Sequence, residues 1–323
     1  MSAGGDKNEA KTARNGVIVI CGPTASSKTK FAVSLAEKLH TEVISADCML
    51  VYRDLNIGTA KPTKEEMRGV KHYLIDVASP REKFSVGDYR ALALPIIDRL
   101  QKEGKTPIIC GGTGFYIDSL LYNSAFGSVG ANEEIREKYE AVLKEYGKEE
   151  GAKRLHARLY EVDPESAAIL HENDTKRVIR ALEIYEQTGK KKSEQADTKT
   201  PRCPFKAFCV DYPRDRLYER INARVDKMFE DGLENEVHAL LKDGVRKDSQ
   251  CMQGIGYKEF VEGEEAGESA EEIKEKIKQH TRNYAKRQIT YFRRMPNLTK
   301  IAPEQIENDE NLDFMAEYLT DLM

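Results

Sequence analysis

No stretch of the chain is long and apolar enough to span a bilayer, and the opening residues MSAGGDKNEAKTARN lack the apolar segment of an export signal. Membrane-spanning and secreted classes are set aside, and a cytoplasmic protein is expected. None of the six cysteines (Cys21, Cys48, Cys110, Cys203, Cys209 and Cys251) falls in a C-x-x-C pair, which argues against a zinc site. They are expected to be reduced thiols. Internal repeats are also absent.

What remains is a globular chain of 323 residues, 40% hydrophobic and 33% charged, long enough for one large domain or two to three smaller ones. Its small net charge of −4 hides an asymmetry. Between residues 274 and 300 nine Lys or Arg face one acidic residue, Glu275, and an acidic stretch precedes them. A concentrated basic segment in a mildly acidic protein fits either a polyanion-binding face or a solvated helix surface.

The alternation of short apolar runs with helical patterns predicts an α/β fold with a parallel sheet. Strands are expected at VIVIC (residues 17–21), VIS (43–45), residues 73–77 and PIIC (107–110), with a helix near 87–103. From 132 to 189 the chain is charged and helical in period, and residues 190–204 read as a linker. A strand is expected to return at 205–210, followed by one long helix over 217–241. The reading is therefore a core of residues 15–123 and 203–323, interrupted by a helical insertion at 124–202, after a disordered lead-in at 1–14.

Residues 22–29, GPTASSKT, follow the first strand and open a helix. Gly22, Lys28 and Thr29 match a phosphate-binding loop, with Ser27 where its second glycine usually stands. Successive backbone amides at a helix start attract an anion, Lys28 adds positive charge, and the Thr29 hydroxyl suits Mg²⁺. Asp47 follows the second strand and fits a metal ligand, a general base or a turn cap. Gly111-Gly112-Thr113-Gly114 follows the fourth, as either a tight turn or a substrate contact. All three lie at the carboxyl ends of strands, where ligands collect in open α/β sheets.

"GPTASSKT", "ISADCMLVYRDLNIGTAKPT", "HYLIDV", "FSVGDY", "PIICGGTGFYIDSLL", "NDTKRVIRALEIYEQTGK", "QGIGYKE" and "YAKRQITYFRR" occur in that order. Together, over residues 16 to 295, they resemble the bacterial tRNA dimethylallyltransferase (tRNA isopentenyltransferase) family. The resemblance implies a P-loop NTPase-like core with a helical insertion and a helical C-terminal segment. It also implies transfer of a dimethylallyl group from dimethylallyl diphosphate to N6 of the adenosine 3′ of the anticodon, in tRNAs reading codons that start with U.

By the same resemblance Asp47, Thr113 and Arg224 are catalytic, with Asp47 as general base. Gly22, Thr24, Ala25, Ser26, Ser27, Lys28, Thr29 and Arg224 hold the diphosphate, and Thr29 binds Mg²⁺. Arg224 matches the family arginine better than Arg220. Cys48, Tyr52, Arg177, Arg180, Gln253, Arg282, Lys286, Arg287 and Arg293 are implied to contact the tRNA anticodon stem-loop, and a monomer is implied.

The chain departs from the family at Ser27 (usually glycine), Cys48 (serine), Asn56 (aspartate) and Thr175 (proline). Cys48 is a much weaker hydrogen-bond partner than serine. Three rival readings are a phosphate-loop kinase, an adenylate isopentenyltransferase acting on free nucleotide, and a non-catalytic tRNA-binding relative.

Overall fold

The computed structural model describes residues 16–123, 130–194, 200–307 and 309–322. The expected lead-in at 1–14 and part of the expected linker lie outside them. Val17–Cys21 forms β1, and all five residues are buried, as a strand covered on both faces requires. The loop at 22–27 leads into α1 (Lys28–Lys38), whose Phe31, Leu35 and Ala36 return onto the sheet. Then follow β2 (Val43–Ser45), α2 (Lys64–Met67), β3 (His72–Tyr73), α3 (Val86–Lys102), β4 (Ile108–Gly111) and α4 (Gly114–Leu121).

Four helices come next: α5 (Glu133–Tyr146), α6 (Lys148–Val162), α7 (Pro164–Ile169) and α8 (Thr175–Thr188). The chain returns as β5 (Phe205–Val210), α9 (Arg214–Glu230), α10 (Leu233–Lys242), α11 (Tyr257–Glu265), α12 (Ala270–Phe292), β6 (Leu298–Ile301) and α13 (Asp309–Leu322). Among the described residues no helix is long and apolar enough to cross a membrane.

The chain divides into two compact units, Met1–Leu121 with Pro201–Met323, and Tyr122–Thr200. In the first, six parallel strands run in the order β3-β2-β4-β1-β5-β6. Cys21 of β1 lies level with Gly111 of β4 and Cys209 of β5, and Ser45 of β2 lies level with Cys110. The carboxyl ends of these strands therefore share one edge, and the loops after β1, β2 and β4 meet there. Ile18, Ile20, Val43, Ile108 and Phe208 pack one face against Phe31 and Leu35 of α1 and Leu312 and Leu319 of α13. Each such side chain contributes about 1.5–3 kcal/mol on burial. In the second unit Leu155, Leu159, Val178 and Leu182 build a separate helical core.

Three local expectations change. The strand foreseen at 73–77 stops after Tyr73, because Leu74 and Asp76 take left-handed backbone, φ 63° and 58°, which no strand accommodates. The long helix foreseen at 217–241 is two helices, α9 and α10, broken where Gly232 adopts φ 96°. Strand β6, without a clear pattern of its own, adds an edge beside β5.

Candidate active site

The loop between β1 and α1 curls over its own carbonyls. Ser26 Oγ donates to Pro23 O at 2.7 Å and Lys28 Nζ donates to the same oxygen at 2.6 Å. Burial pushes the Lys28 ammonium below its ordinary pKa, as does the nearby Arg224 charge. A desolvated cation resting on one carbonyl is a strong place for an anion to bind.

Ala25 and Ser27 take left-handed backbone at φ 61° and 59°, the second at the cap position of α1. From α9, Arg220 Nε donates to Ala25 O at 2.8 Å and Nη2 to Ser27 Oγ at 2.8 Å. Its guanidinium lies 4.8 Å from the ring centroid of Tyr212. One turn further on, Arg224 Nη1 donates to Thr24 Oγ1 at 3.4 Å. Both arginines thus face the loop, and Arg224 is the less exposed of the two.

The loops after β2 and β4 are tied together. Ala46 N donates to Cys110 O at 2.8 Å and Thr113 N to Ala46 O at 3.0 Å. A Cβ on Gly111 would lie 2.1 Å from Ala46 O, so only glycine permits this approach. Cys48 N donates to Thr113 Oγ1 at 3.0 Å, and Met49 N to Asp47 Oδ1 at 2.9 Å. Asp47 therefore caps the turn that follows it while its carboxylate still lines the cavity. The Cys48 thiol is pushed up to about 11 by burial and by Asp47, so it is a neutral group.

Helix α12 closes the far side. Gln288, buried, accepts Thr24 N on Oε1 at 2.9 Å and donates from Nε2 to Gly112 O at 2.9 Å. One turn earlier, Tyr284 lines the same cavity as Thr24, and burial followed by the Asp47 charge pushes its phenol above the ordinary range. Glu236 of α10 holds the loop after β2. It accepts the amides of Asn56 and Ile57 at 2.8 Å each and of Gly58 at 3.0 Å, and the Tyr257 hydroxyl at 2.6 Å.

Two cavities result. One, of about 340 Å³, is lined by residues 24–30 with Ser45, Asp47, Thr59, Glu66, His72, Arg220, Arg224, Tyr284 and Gln288. The other, of about 390 Å³, is lined by Asp47, Cys48, Met49, Tyr52, Met228, Gln253, Ile255, Ile277, Tyr284 and Arg287, among others. In the first, two buried polar atoms, Ser45 Oγ and His72 Nε2, have no hydrogen-bond partner among the described residues. The His72 ring bonds Val70 O through Nδ1 and is held neutral by burial.

The structure therefore gathers Thr24, Ala25, Ser26, Ser27, Lys28, Thr29, Asp47 and Arg224 around one cavity and Cys48, Tyr52, Gln253 and Arg287 around the other. Gly22 opens the loop, and Thr113 reaches the site through Cys48. Arg282 donates to Asn222 Oδ1 at 2.6 Å, Lys286 is exposed, and Arg293 lines a separate small cavity beside Tyr212 and Lys300. Arg177 and Arg180 belong to the other unit. Arg177 donates to Asp174 Oδ2 at 3.1 Å, and Arg180 donates at 2.5 Å to Glu183, a buried carboxylate that Arg136 also serves.

Gln288, Tyr284 and Thr59 are not among the site residues expected from the sequence, although each stands inside a motif quoted above. Arg220 was set second to Arg224, yet its side chain makes the closer contacts with the loop.

Residues 50–295 match the family model described as IPP transferase. The chain is 44% identical over 299 residues to a tRNA dimethylallyltransferase of Acetivibrio thermocellus, covering 92% of this chain and 94% of that one. It is 43% identical over 300 residues to the enzyme of that name from Halalkalibacterium halodurans, with the same coverage. The crystal structure of a full-length tRNA isopentenylpyrophosphate transferase from Bacillus halodurans superposes with TM-score 0.68 at 40% identity, over 95% of this chain and 98% of that one. A eukaryotic dimethylallyltransferase acting on tRNA superposes with TM-score 0.77 at 28% identity, over 90% of this chain and 74% of that one.

Proposed function

The chain belongs to the IPP transferase family, and from that premise we propose that it is a tRNA dimethylallyltransferase. It moves a dimethylallyl group from dimethylallyl diphosphate to N6 of the adenosine 3′ of the anticodon, in tRNAs reading codons that begin with U, and releases diphosphate. The observation that carries this reading is the pair of cavities meeting at Asp47, one lined by the loop at residues 24–30 with Arg220 and Arg224 and the other by Cys48, Tyr52 and Gln253.

The diphosphate of the donor lies in the first cavity, against the loop amides, Lys28 and Arg224, with Arg220 bracing the loop. The adenine enters the second. Its exocyclic amine is a weak nucleophile, since the lone pair is delocalised into the ring. The bond from C1 of the donor to oxygen breaks with its electron pair going to diphosphate. N6 bonds to C1, and its proton passes to the Asp47 carboxylate. Fixed cations at the departing charge supply most of the acceleration, as preorganised electrostatics do elsewhere. Thr113 orients this step by accepting the Cys48 amide on its hydroxyl.

The first cavity also fits a hard, oxygen-preferring cation. The Thr29 hydroxyl lines it, and the buried Ser45 hydroxyl there has no hydrogen-bond partner among the described residues. Mg²⁺, held by Thr29 and the diphosphate, would neutralise charge on the leaving group.

The target base is stacked in an anticodon loop, and extracting it costs a few kcal/mol that backbone contacts must offset. Arg282, Lys286, Arg287 and Arg293 near the C-terminal end and Arg177 in the insertion are assigned to the RNA backbone. Affinity for tRNA accordingly falls steeply with salt.

The test offers labelled dimethylallyl diphosphate and Mg²⁺ with unmodified tRNA, AMP or ATP in parallel. Label in tRNA is expected, and Asp47→Ala should reduce single-turnover transfer about 10²–10³-fold. Label in AMP would reassign the acceptor, ATP turnover alone would indicate a kinase, and tRNA binding without transfer a non-catalytic relative.

A further inference from the structure

The two cavities share a short boundary: Thr24, Asp47, Thr59, Arg224 and Tyr284 line both. With the diphosphate on one side and the nucleobase on the other, the carbon that changes partners must lie along it. Rupture of the allylic C–O bond runs ahead of N–C bond formation when the nucleophile is weak. In that interval the five-carbon unit carries positive charge spread over its allyl system, and the electron pair has already left with the diphosphate oxygen.

Each boundary residue can be weighed against that charge. Arg224 repels it, Asp47 is committed to the N6 amine that it later deprotonates, and Thr24 and Thr59 offer only small hydroxyl dipoles. Tyr284 alone brings an aromatic face. Its position is fixed by α12, where Gln288, one turn along, is anchored to Thr24 and Gly112. The ring already presents a face to positive charge, since the Arg287 guanidinium lies 5.6 Å from its centroid.

We propose that the Tyr284 ring is a catalytic group that stabilises the allyl cation through its π face while the C–O bond breaks. The role rests on reading the site as a dimethylallyl-transfer centre. An aromatic face attracts a desolvated cation by its quadrupole, and the attraction appears only as charge develops, so it raises the rate of transfer without tightening the ground state.

The experiment measures single-turnover transfer to tRNA and donor affinity for the wild type, Tyr284→Phe, Tyr284→Leu, and proteins carrying mono-, di- and trifluorinated phenylalanine at 284. Tyr284→Phe is expected to stay within about 3-fold of wild type, and Tyr284→Leu to fall about 10- to 30-fold in rate with little change in donor affinity. The fluorinated series keeps the ring's volume while draining its π face, so the rate should fall stepwise with each fluorine even if the leucine variant folds poorly. A flat fluorinated series, a phenylalanine variant as slow as the leucine one, or a loss confined to donor affinity would each overturn the proposal. A wild-type protein that labels no tRNA would instead overturn the functional reading on which it rests.

Discussion

Gln288 and Thr24 stand 264 residues apart and are joined by a single hydrogen bond, from the Thr24 amide to Gln288 Oε1 at 2.9 Å. The other end of the same side chain donates to Gly112 O at 2.9 Å, so one buried amide pins two site loops to α12. Leucine in its place would leave both backbone groups unpaired, at a cost of about 1–3 kcal/mol. Gln288→Leu should lower the urea midpoint accordingly and raise KM for dimethylallyl diphosphate several-fold. If midpoint and KM both stay at wild-type values, the pin has no energetic role.

Arg220 and Arg224 approach the loop differently, and their removal should differ too. Arg224 is the more enclosed and lines both cavities. Arg224→Ala should slow single-turnover transfer about 10²–10³-fold. Arg220 is exposed and spends its donors on Ala25 O and Ser27 Oγ, so Arg220→Ala should cost only about 10-fold, through a looser loop. A larger loss from Arg220→Ala than from Arg224→Ala would exchange the two roles.

Ser27 sits at φ 59°, ψ 22°, where a side chain costs about 1–2 kcal/mol relative to glycine. Against that, its hydroxyl accepts Arg220 at 2.8 Å, a bond contributing about 0.5–1.5 kcal/mol. The two nearly cancel. Ser27→Gly should therefore keep stability within about 1 kcal/mol and retain activity, as thermal melts and transfer rates would reveal. A severe loss of activity would show that the hydroxyl has a direct part in binding the donor.

Acid should act through Glu42, the residue just before β2. Burial would raise its pKa, but hydrogen bonds from Tyr73 at 2.6 Å and Arg99 at 2.9 Å outweigh it and hold the carboxyl down to about 2. The folded value lies below the unfolded one, so the stability it lends is present above about 4.5 and is lost as pH falls towards 2. Glu42→Gln should flatten that loss by on the order of 1–2 kcal/mol, allowing for the partial exposure of Arg99. Parallel urea titrations at pH 6 and pH 3 check this, and identical acid sensitivity in the two proteins would contradict it.

Much of the catalytic edge was readable because it is local. A β-branched run, a glycine turn and a helical period lie consecutively at 17–39, and Asp47 and Thr113 each follow a strand directly. What escaped reading is carried by distance. Neither the bond between Gln288 and Thr24 nor the four-fold grip of Glu236 on Asn56, Ile57, Gly58 and Tyr257 leaves a periodic trace. The break between α9 and α10 was missed for a different reason. Apolar residues continue at helical spacing on both sides of Gly232, and only its backbone angle divides them.

Helix α12 is one rod of 23 residues with Arg282, Lys286 and Arg287 along its course and Tyr284 and Gln288 on the site. Whatever binds the basic side and whatever binds the loop at Thr24 then act on the same rigid body. By thermodynamic reciprocity, if nucleic acid on that helix raises affinity for the donor by some factor, the donor raises affinity for nucleic acid by the same factor. Order of addition would then be a matter of kinetics alone, and each substrate would favour the other through the helix as well as through direct contact.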